Sequence, residues 1–306
     1  SQSQSQSQRQ TVSYLIERFR EAGIQPDTRH GQNFLIDLNL LSLLANAAQL
    51  SQKDVVLEVG TGTGALTALL AARAGSVVSV ELSRELHQLA SEELVEFDNV
   101  TLLQCDALRN KNRFNSQVLE TVSRHMEAAP GRRLKLVANL PYCIATPVIS
   151  NLLLTDFLPH SMTVTIQKEL ADRMTARPRT KAYGALSVWI QSQCEIRMKR
   201  VLPPAVFWPR PQVHSAIIQL VVSPGKRDLI PDLRFFLTFV RAVFTHRRKF
   251  LRSGLIGAYK SVLGKSKVDE VLSELEFNPR ARAEELQVSE LFALSEKIRE
   301  AVSGTA

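Results

Sequence analysis

An α/β fold is what this sequence predicts: a mostly parallel sheet with helices on both faces, then a small all-helical C-terminal domain. Three observations carry that reading. From residue 55, short apolar runs alternate with stretches of helical period; a glycine-rich loop joins the first run to the next helix; and beyond residue 226 the strand-like runs stop. Alternating strands and helices of this length imply parallel pairing with both sheet faces covered.

Each element has its own signal. Apolar residues at helical spacing mark 11–22, with Gly23 as the stop. A polar-aromatic loop, Gly31-Gln32-Asn33-Phe34-Leu35, precedes a second helix at 38–49. Val- and Leu-rich runs predict strands at 55–59, 77–80, 100–104 and 134–138, with helices between them at 65–74, 84–95 and 116–128. A short helix is expected at 148–154, then strands at 162–166, 186–191 and 216–222. No long helix separates the last two strands, so an antiparallel pairing near one edge is expected. Ser223-Pro224-Gly225-Lys226 breaks the pattern, and 233–244, 248–259, 268–275 and 289–302 read as helices, with Pro279 between the last two. The expected organisation is a disordered low-complexity tail at 1–10, an α/β domain at 11–225 and a helical domain at 230–306.

Composition narrows the class. The 306 residues are 44% hydrophobic and 22% charged, a soluble globular balance outside the disordered regime. No apolar run approaches the roughly 20 residues that span a bilayer, and the Ser-Gln repeat at 1–8 lacks the regions of a signal peptide. Cys105, Cys143 and Cys194 are far apart without Cys-x-x-Cys spacing, which argues against a zinc site or a disulfide framework and fits a reducing cytoplasm. Cys143 reads as filler rather than as a nucleophile. Charge is uneven: residues 170–260 hold 17 Lys and Arg against 4 Asp and Glu, on a chain whose total is +8, so the remainder is net acidic. Such a segment is the electrostatic footprint of a polyanion binder, the competing reading being a solvated face.

The chemistry sits at the predicted strand ends. Glu58-Val59-Gly60-Thr61-Gly62-Thr63-Gly64 closes the first strand and opens a helix, where glycines permit a tight turn and close approach of backbone to a ligand. Taken alone the motif is weak, since Gly60, Gly62 and Ala65 also satisfy a dinucleotide fingerprint. Glu81, 21 residues after Gly60, ends the second strand, where a carboxylate accepts hydrogen bonds from ribose hydroxyls. Asp106, after the third, can bind the adenine amine of S-adenosylmethionine in methyltransferase-type folds; an ordinary helix-capping Asp is its rival reading. Asn139-Leu140-Pro141-Tyr142 follows the fourth and is the most informative feature. The Asn139 side-chain oxygen and the Leu140 carbonyl can each accept one N–H of a nucleobase amine. Pro141 fixes the turn, and Tyr142 offers a stacking face.

These residues resemble the ribosomal RNA adenine dimethyltransferase family, closest to the KsgA-type branch that modifies small-subunit rRNA. The resemblance spans about 28–300. His30-Gly31-Gln32-Asn33-Phe34-Leu35-Ile36-Asp37 looks like the family's cofactor-covering loop, and 139–147 (NLPYCIATP) like its catalytic loop. Gln167-Lys168-Glu169, 183–188 (YGALSV), 207–216 (FWPRPQVHSA) and Arg247-Arg248-Lys249 are similar to further blocks, in the same order. The chain departs from the family at Thr61 and Thr63, usually Pro and Leu; at Ala145, usually Ser; and at Arg210, Gln212 and His214, usually Pro, Lys and Asp.

The resemblance implies a Rossmann-like, S-adenosylmethionine-dependent methyltransferase sheet. The implied cofactor residues are Asn33, Leu35, Gly60, Gly62, Glu81, Asp106 and Asn139, and the implied catalytic group is Asn139, Leu140, Pro141 and Tyr142, with Phe207 on the opposite face of a flipped base. A plain core role for Phe207 stands beside that. Arg247, Arg248, Lys249 and Arg252 are expected to bind RNA, the last three from one face of a helix. The implied product is N6,N6-dimethyladenosine in small-subunit rRNA, made by a cytoplasmic monomer on a small-subunit precursor during assembly. Three rivals remain: a large-subunit rRNA methyltransferase of the antibiotic-resistance type, a non-catalytic RNA-binding assembly factor on the same fold, and a nicotinamide oxidoreductase. The last leaves the Asn139 tetrapeptide and the basic second half unexplained.

Overall fold

Unbroken valine and leucine runs form the centre of the sheet in the computed structural model of the chain, which describes residues 12–21, 23–26, 32–245, 247–278 and 280–304. The Ser-Gln tail, His30 and Gly31 lie outside the described residues. In chain order the elements are α1 Val12–Glu21, β1 Phe34–Leu35, α2 Leu38–Ala47, β2 Asp54–Val59, α3 Ala65–Ala71, β3 Ser76–Glu81, α4 Arg84–Glu93, β4 Val100–Gln104, β5 Leu108–Asn110, β6 Arg113–Phe114 and α5 Ser116–Glu127. They continue with β7 Arg133–Asn139, α6 Ala145–Leu152, β8 Ser161–Gln167, α7 Lys168–Thr175, α8 Ala185–Gln191, β9 Cys194–Leu202, β10 Phe207–Trp208, β11 Ser215–Val222 and α9 Pro224–Arg227. The chain closes with α10 Leu233–Thr245, α11 Leu251–Tyr259, α12 Lys265–Glu274 and α13 Val288–Ser303.

The main sheet has the order β4-β3-β2-β7-β8-β11-β9. β4 through β8 pair in parallel, and β11 runs antiparallel to β8. β2 and β3 are buried along their whole length, as expected of parallel strands covered on both faces. From β2 the chain winds outward through β3 to β4, then crosses back to β7 on the other side. The order therefore reverses between β2 and β7, and a crevice opens beyond their carboxyl ends. Asp37 caps α2 through Asn39 N–H at 2.9 Å, and Ser83 caps α4 through Leu86 N–H at 3.2 Å. The opposite end of the sheet is tied down by charge: Lys135 on β7 is buried, donates to the Ala48 and Gln49 carbonyls at 3.0 and 2.8 Å, and lies 3.1 Å from Asp54.

Three local expectations are corrected. Residues 186–191 form α8, not a strand. Leu186 through Ile190 are all buried, so no polar stripe betrays the helical period, and such a run reads equally as a core strand. The strand at this point is β9, whose charged middle concealed it. Residues 224–227 form a short helix with Ser223 as its cap, and the helix expected from 248 starts at Leu251.

The compact units also divide the chain differently from 11–225 and 230–306. One comprises the described residues of Ser1–Ala171 with Arg197–Val221; the other comprises Asp172–Ile196 with Val222–Ala306. Residues 172–196 join the C-terminal helices through packing: Trp189 meets Phe236 at 6.4 Å, and the Tyr183 hydroxyl donates to the Leu286 carbonyl at 2.8 Å. Among the described residues no helix is long and apolar enough to cross a membrane.

Candidate active site

Four carboxyl strand ends meet at the crevice. Gly60 follows β2, Glu81 ends β3, Asp106 lies just past β4, and Asn139 ends β7. A cavity of about 280 Å³ opens there, and all seven residues expected to hold the cofactor line it: Asn33, Leu35, Gly60, Gly62, Glu81, Asp106 and Asn139.

The glycine loop is held from two sides. Gly60 has φ +88, and a Cβ there would stand 3.2 Å from the Pro141 ring, so the loop after β2 packs directly on the turn after β7. Gly62 has φ +58 and lies beneath Phe34, whose ring a Cβ would approach to 3.2 Å. Its N–H donates to Glu81 Oε2 at 2.9 Å, and Ser83 N–H donates to Oε1 at 3.0 Å. Burial raises the Glu81 carboxyl above its ordinary range, against the lowering effect of those two N–H groups. Asp106 is exposed and accepts from Leu108 N–H at 2.9 Å through Oδ1, so it caps the local turn while lining the cavity.

The Asn139 side chain is oriented by a single hydrogen bond. Its Nδ2 donates to the Asn33 carbonyl at 2.9 Å, which fixes the amide's orientation, and its Oδ1 is buried without a hydrogen-bond partner. Leaving such an acceptor unmet costs about 1–3 kcal/mol, so the orphan marks where a donor belongs. Tyr142 is half-buried, and its hydroxyl lies 2.6 Å from the fully buried Ser215 Oγ. Cys105 and Cys143 also line the cavity, and desolvation pushes both thiols up, away from the thiolate.

Phe207 departs from the expected stacking role. β10 pairs with β1, Leu35 opposite Phe207, and both side chains enter one apolar cluster with Leu41, Leu202 and Ile217. Phe207 is 2% exposed, a core side chain in this structure. The alternation of the strand turns Trp208 instead toward Phe34 and Phe19, at 6.5 and 5.4 Å.

Glu58 was missed as a site residue. It is fully buried on β2, lines the cavity, and accepts through Oε2 from Thr67 and Ser79 hydroxyls, each at 2.6 Å. Thr61 joins the chain at 2.6 Å from Ser79, which gives this departure from the family pattern a structural use. Oε1 has no partner, and burial raises the carboxyl to about 8. The sequence signal was present in the acid before the glycine loop, but nothing local shows that Thr67 and Ser79 converge on it.

Among families of known proteins, the model for ribosomal RNA adenine dimethylase matches residues 24–300. The chain belongs to this family. Its relatives include Ribosomal RNA small subunit methyltransferase A of Lactiplantibacillus plantarum, 38% identical over 91% of this chain and 92% of that one. The protein of the same name from Moorella thermoacetica is 38% identical over 92% of this chain and 95% of its own. A dimethyladenosine transferase from Plasmodium falciparum superposes with a TM-score of 0.71 at 21% identity, covering 87% of this chain and 97% of that one. The 23S rRNA methyltransferase ErmE superposes with 0.59 at 23% identity, over 87% and 99%. At those identities the two structures speak for the fold alone.

The cavity of this dimethylase fits the cofactor that the resemblance implies: a carboxylate for ribose hydroxyls, one for an adenine amine, and a glycine loop open to close approach. The four basic residues are placed less simply. Arg247 spends its guanidinium on the Lys181 and Tyr183 carbonyls, at 2.8 and 2.9 Å, and pairs with Glu284 at 3.5 Å. Arg252 forms a two-pronged pair with Asp269, at 2.5 and 2.9 Å. Arg248 and Lys249 are exposed in the turn before α11. The expected single helical face for Arg248, Lys249 and Arg252 is therefore corrected, because the helix begins only at Leu251.

Proposed function

We propose that the chain transfers methyl groups from S-adenosylmethionine to N6 of adenines in small-subunit rRNA, giving N6,N6-dimethyladenosine. The observation that carries this is the oriented Asn139 amide, with Nδ2 spent on Asn33 and Oδ1 buried and unmet at the cavity wall. Membership of the adenine dimethylase family and the small-subunit names of the relatives support the substrate.

The cofactor supplies an electrophilic methyl group. Asn139 Oδ1 and the Leu140 carbonyl accept the two hydrogens of the adenine amine, which draws its nitrogen toward tetrahedral geometry and frees the lone pair. The same acceptors stabilise the positive charge that develops there. No strong base is needed, since a methylated ammonium is acidic. Tyr142, anchored on Ser215, stacks on the flipped base. For the second transfer the singly methylated amine rotates and presents its remaining hydrogen. The same reading makes the enzyme a cytoplasmic monomer acting on a small-subunit precursor during assembly, with Arg248 and Lys249 as RNA contacts.

The test is methylation of small subunits from a strain lacking this dimethylation, with the modified adenines mapped. Dimethyladenosine in small-subunit rRNA is expected. Methylation confined to large-subunit rRNA, or none with cofactor bound, would overturn the proposal.

A further inference from the structure

β9 lies at one edge of the sheet. Arg197, Met198, Lys199, Arg200 and Val201 on it are all exposed. Strand side chains alternate between faces, so five consecutive exposed residues mean that both faces of this ribbon reach solvent as well as its outer edge. Arg197 and Lys199 stand on one face and Arg200 on the other. Among the described residues none of the three has an ion pair, whereas Glu195, the one acid on the strand, lies 2.6 Å from Lys226. Met198 and Val201, 41% and 40% exposed, place apolar surface among the cations.

The ribbon starts beside the active site. β9 ends at Leu202, buried in the same cluster as Phe207 and Leu35, and Leu35 lines the cavity. In the adjacent β11, Ser215 holds the Tyr142 hydroxyl, and the exposed Arg210 lies in the turn that leads into it. From Leu202 back to Arg197 the strand spans roughly 17 Å, the reach of several nucleotides.

Resting on the rRNA reading above, we infer that this β9 ribbon is a docking surface for the RNA phosphate backbone flanking the adenine under modification. Arg197, Lys199 and Arg200 meet phosphates, and Met198 and Val201 lie against sugars. Charge on an edge strand also prevents strand-to-strand association, but a single lysine serves that end. Three unneutralised cations, within the segment holding 17 Lys and Arg against 4 Asp and Glu, match a polyanion.

The experiment measures binding of the full chain to small ribosomal subunits across a KCl series, for the parent and for Arg197→Gln, Lys199→Gln, Arg200→Gln combined. Cofactor affinity by calorimetry reports whether the variant is folded, and Arg197→Lys with Arg200→Lys is the charge-preserving control. The glutamine variant is expected to bind at least about tenfold more weakly, with the slope of log K against log salt flattened by roughly 0.7–0.9 for each lost contact. Cofactor affinity should be unchanged, and the lysine control should bind like the parent. Parental slope and affinity in the glutamine variant would overturn the assignment, as would self-association as its sole defect. If the parent neither binds nor methylates small subunits, the rRNA reading fails and the ribbon with it; a binding parent with an unaffected variant sinks the ribbon alone.

Discussion

At the scale of single residues, Asn139 and Glu58 each hold one buried, unmet oxygen at the cavity wall, yet they predict different behaviour. In the function proposed above, Asn139 bears on the reaction. Asn139→Ala removes the acceptor for the target amine while its main chain stays in β7, so turnover should fall by about 10²–10³ with the melting temperature nearly intact. Single-turnover methylation beside a thermal melt checks this, and near-parental turnover would end the amine-binding account. Glu58 acts on stability, through burial that raises its carboxyl from an ordinary 4.5 to about 8. The folded state holds the proton more tightly than the unfolded chain, so this group subtracts stability as pH rises from about 4.5 to about 8 and no further beyond. Glu58→Gln should therefore match the parent near pH 4.5 and surpass it progressively up to pH 8, by a difference on the order of 4 kcal/mol. Melts of both proteins across that range are the measurement, and parallel curves would show that Glu58 is ionised in the fold.

At the scale of elements, the two ends of the strands serve different purposes. The carboxyl ends carry the site; the amino ends carry Asp54, Arg133 and the buried Lys135, which donates to the Ala48 and Gln49 carbonyls just past α2. Lys135→Met should cost about 3 kcal/mol, the low end for one partner of a buried pair, because Arg133 still faces Asp54. Cofactor affinity of the folded variant should be unchanged, and a urea melt with calorimetry tests both halves. The strand ends were legible in the sequence because their chemistry is local: a glycine turn, an acid after a valine run, an amide before Pro141. Other features needed the fold. α8 is buried on every side and so shows no period, and β9 is too charged to look like a strand. Phe207 faces the core only because β10 takes its register from β1. Glu58 gains its partners from α3 and β3, 9 and 21 residues away.

At the scale of the whole molecule, the excess of positive charge predicts how the protein meets RNA. Of the four basic residues around α11, Arg247 and Arg252 are engaged by groups of the protein, while Arg248 and Lys249 are exposed. Arg248→Ala with Lys249→Ala should weaken small-subunit binding and leave cofactor affinity intact. The log K against log salt slope should flatten by roughly 0.7–0.9 for each lost phosphate contact. Equal slopes for parent and variant would show that this pair does not touch RNA. The bond from Asn139 Nδ2 to the Asn33 carbonyl reaches further still. In the function proposed above, Asn33 and Asn139 both face the cofactor and Asn139 also faces the adenine, so this one hydrogen bond of 2.9 Å would join two binding equilibria. Linkage makes that traffic run both ways: by whatever factor bound cofactor tightens the grip on the base, bound base must tighten the grip on cofactor. On that reading, releasing spent cofactor between the two methyl transfers would loosen the hold on the half-finished adenine by that same factor, through a single amide.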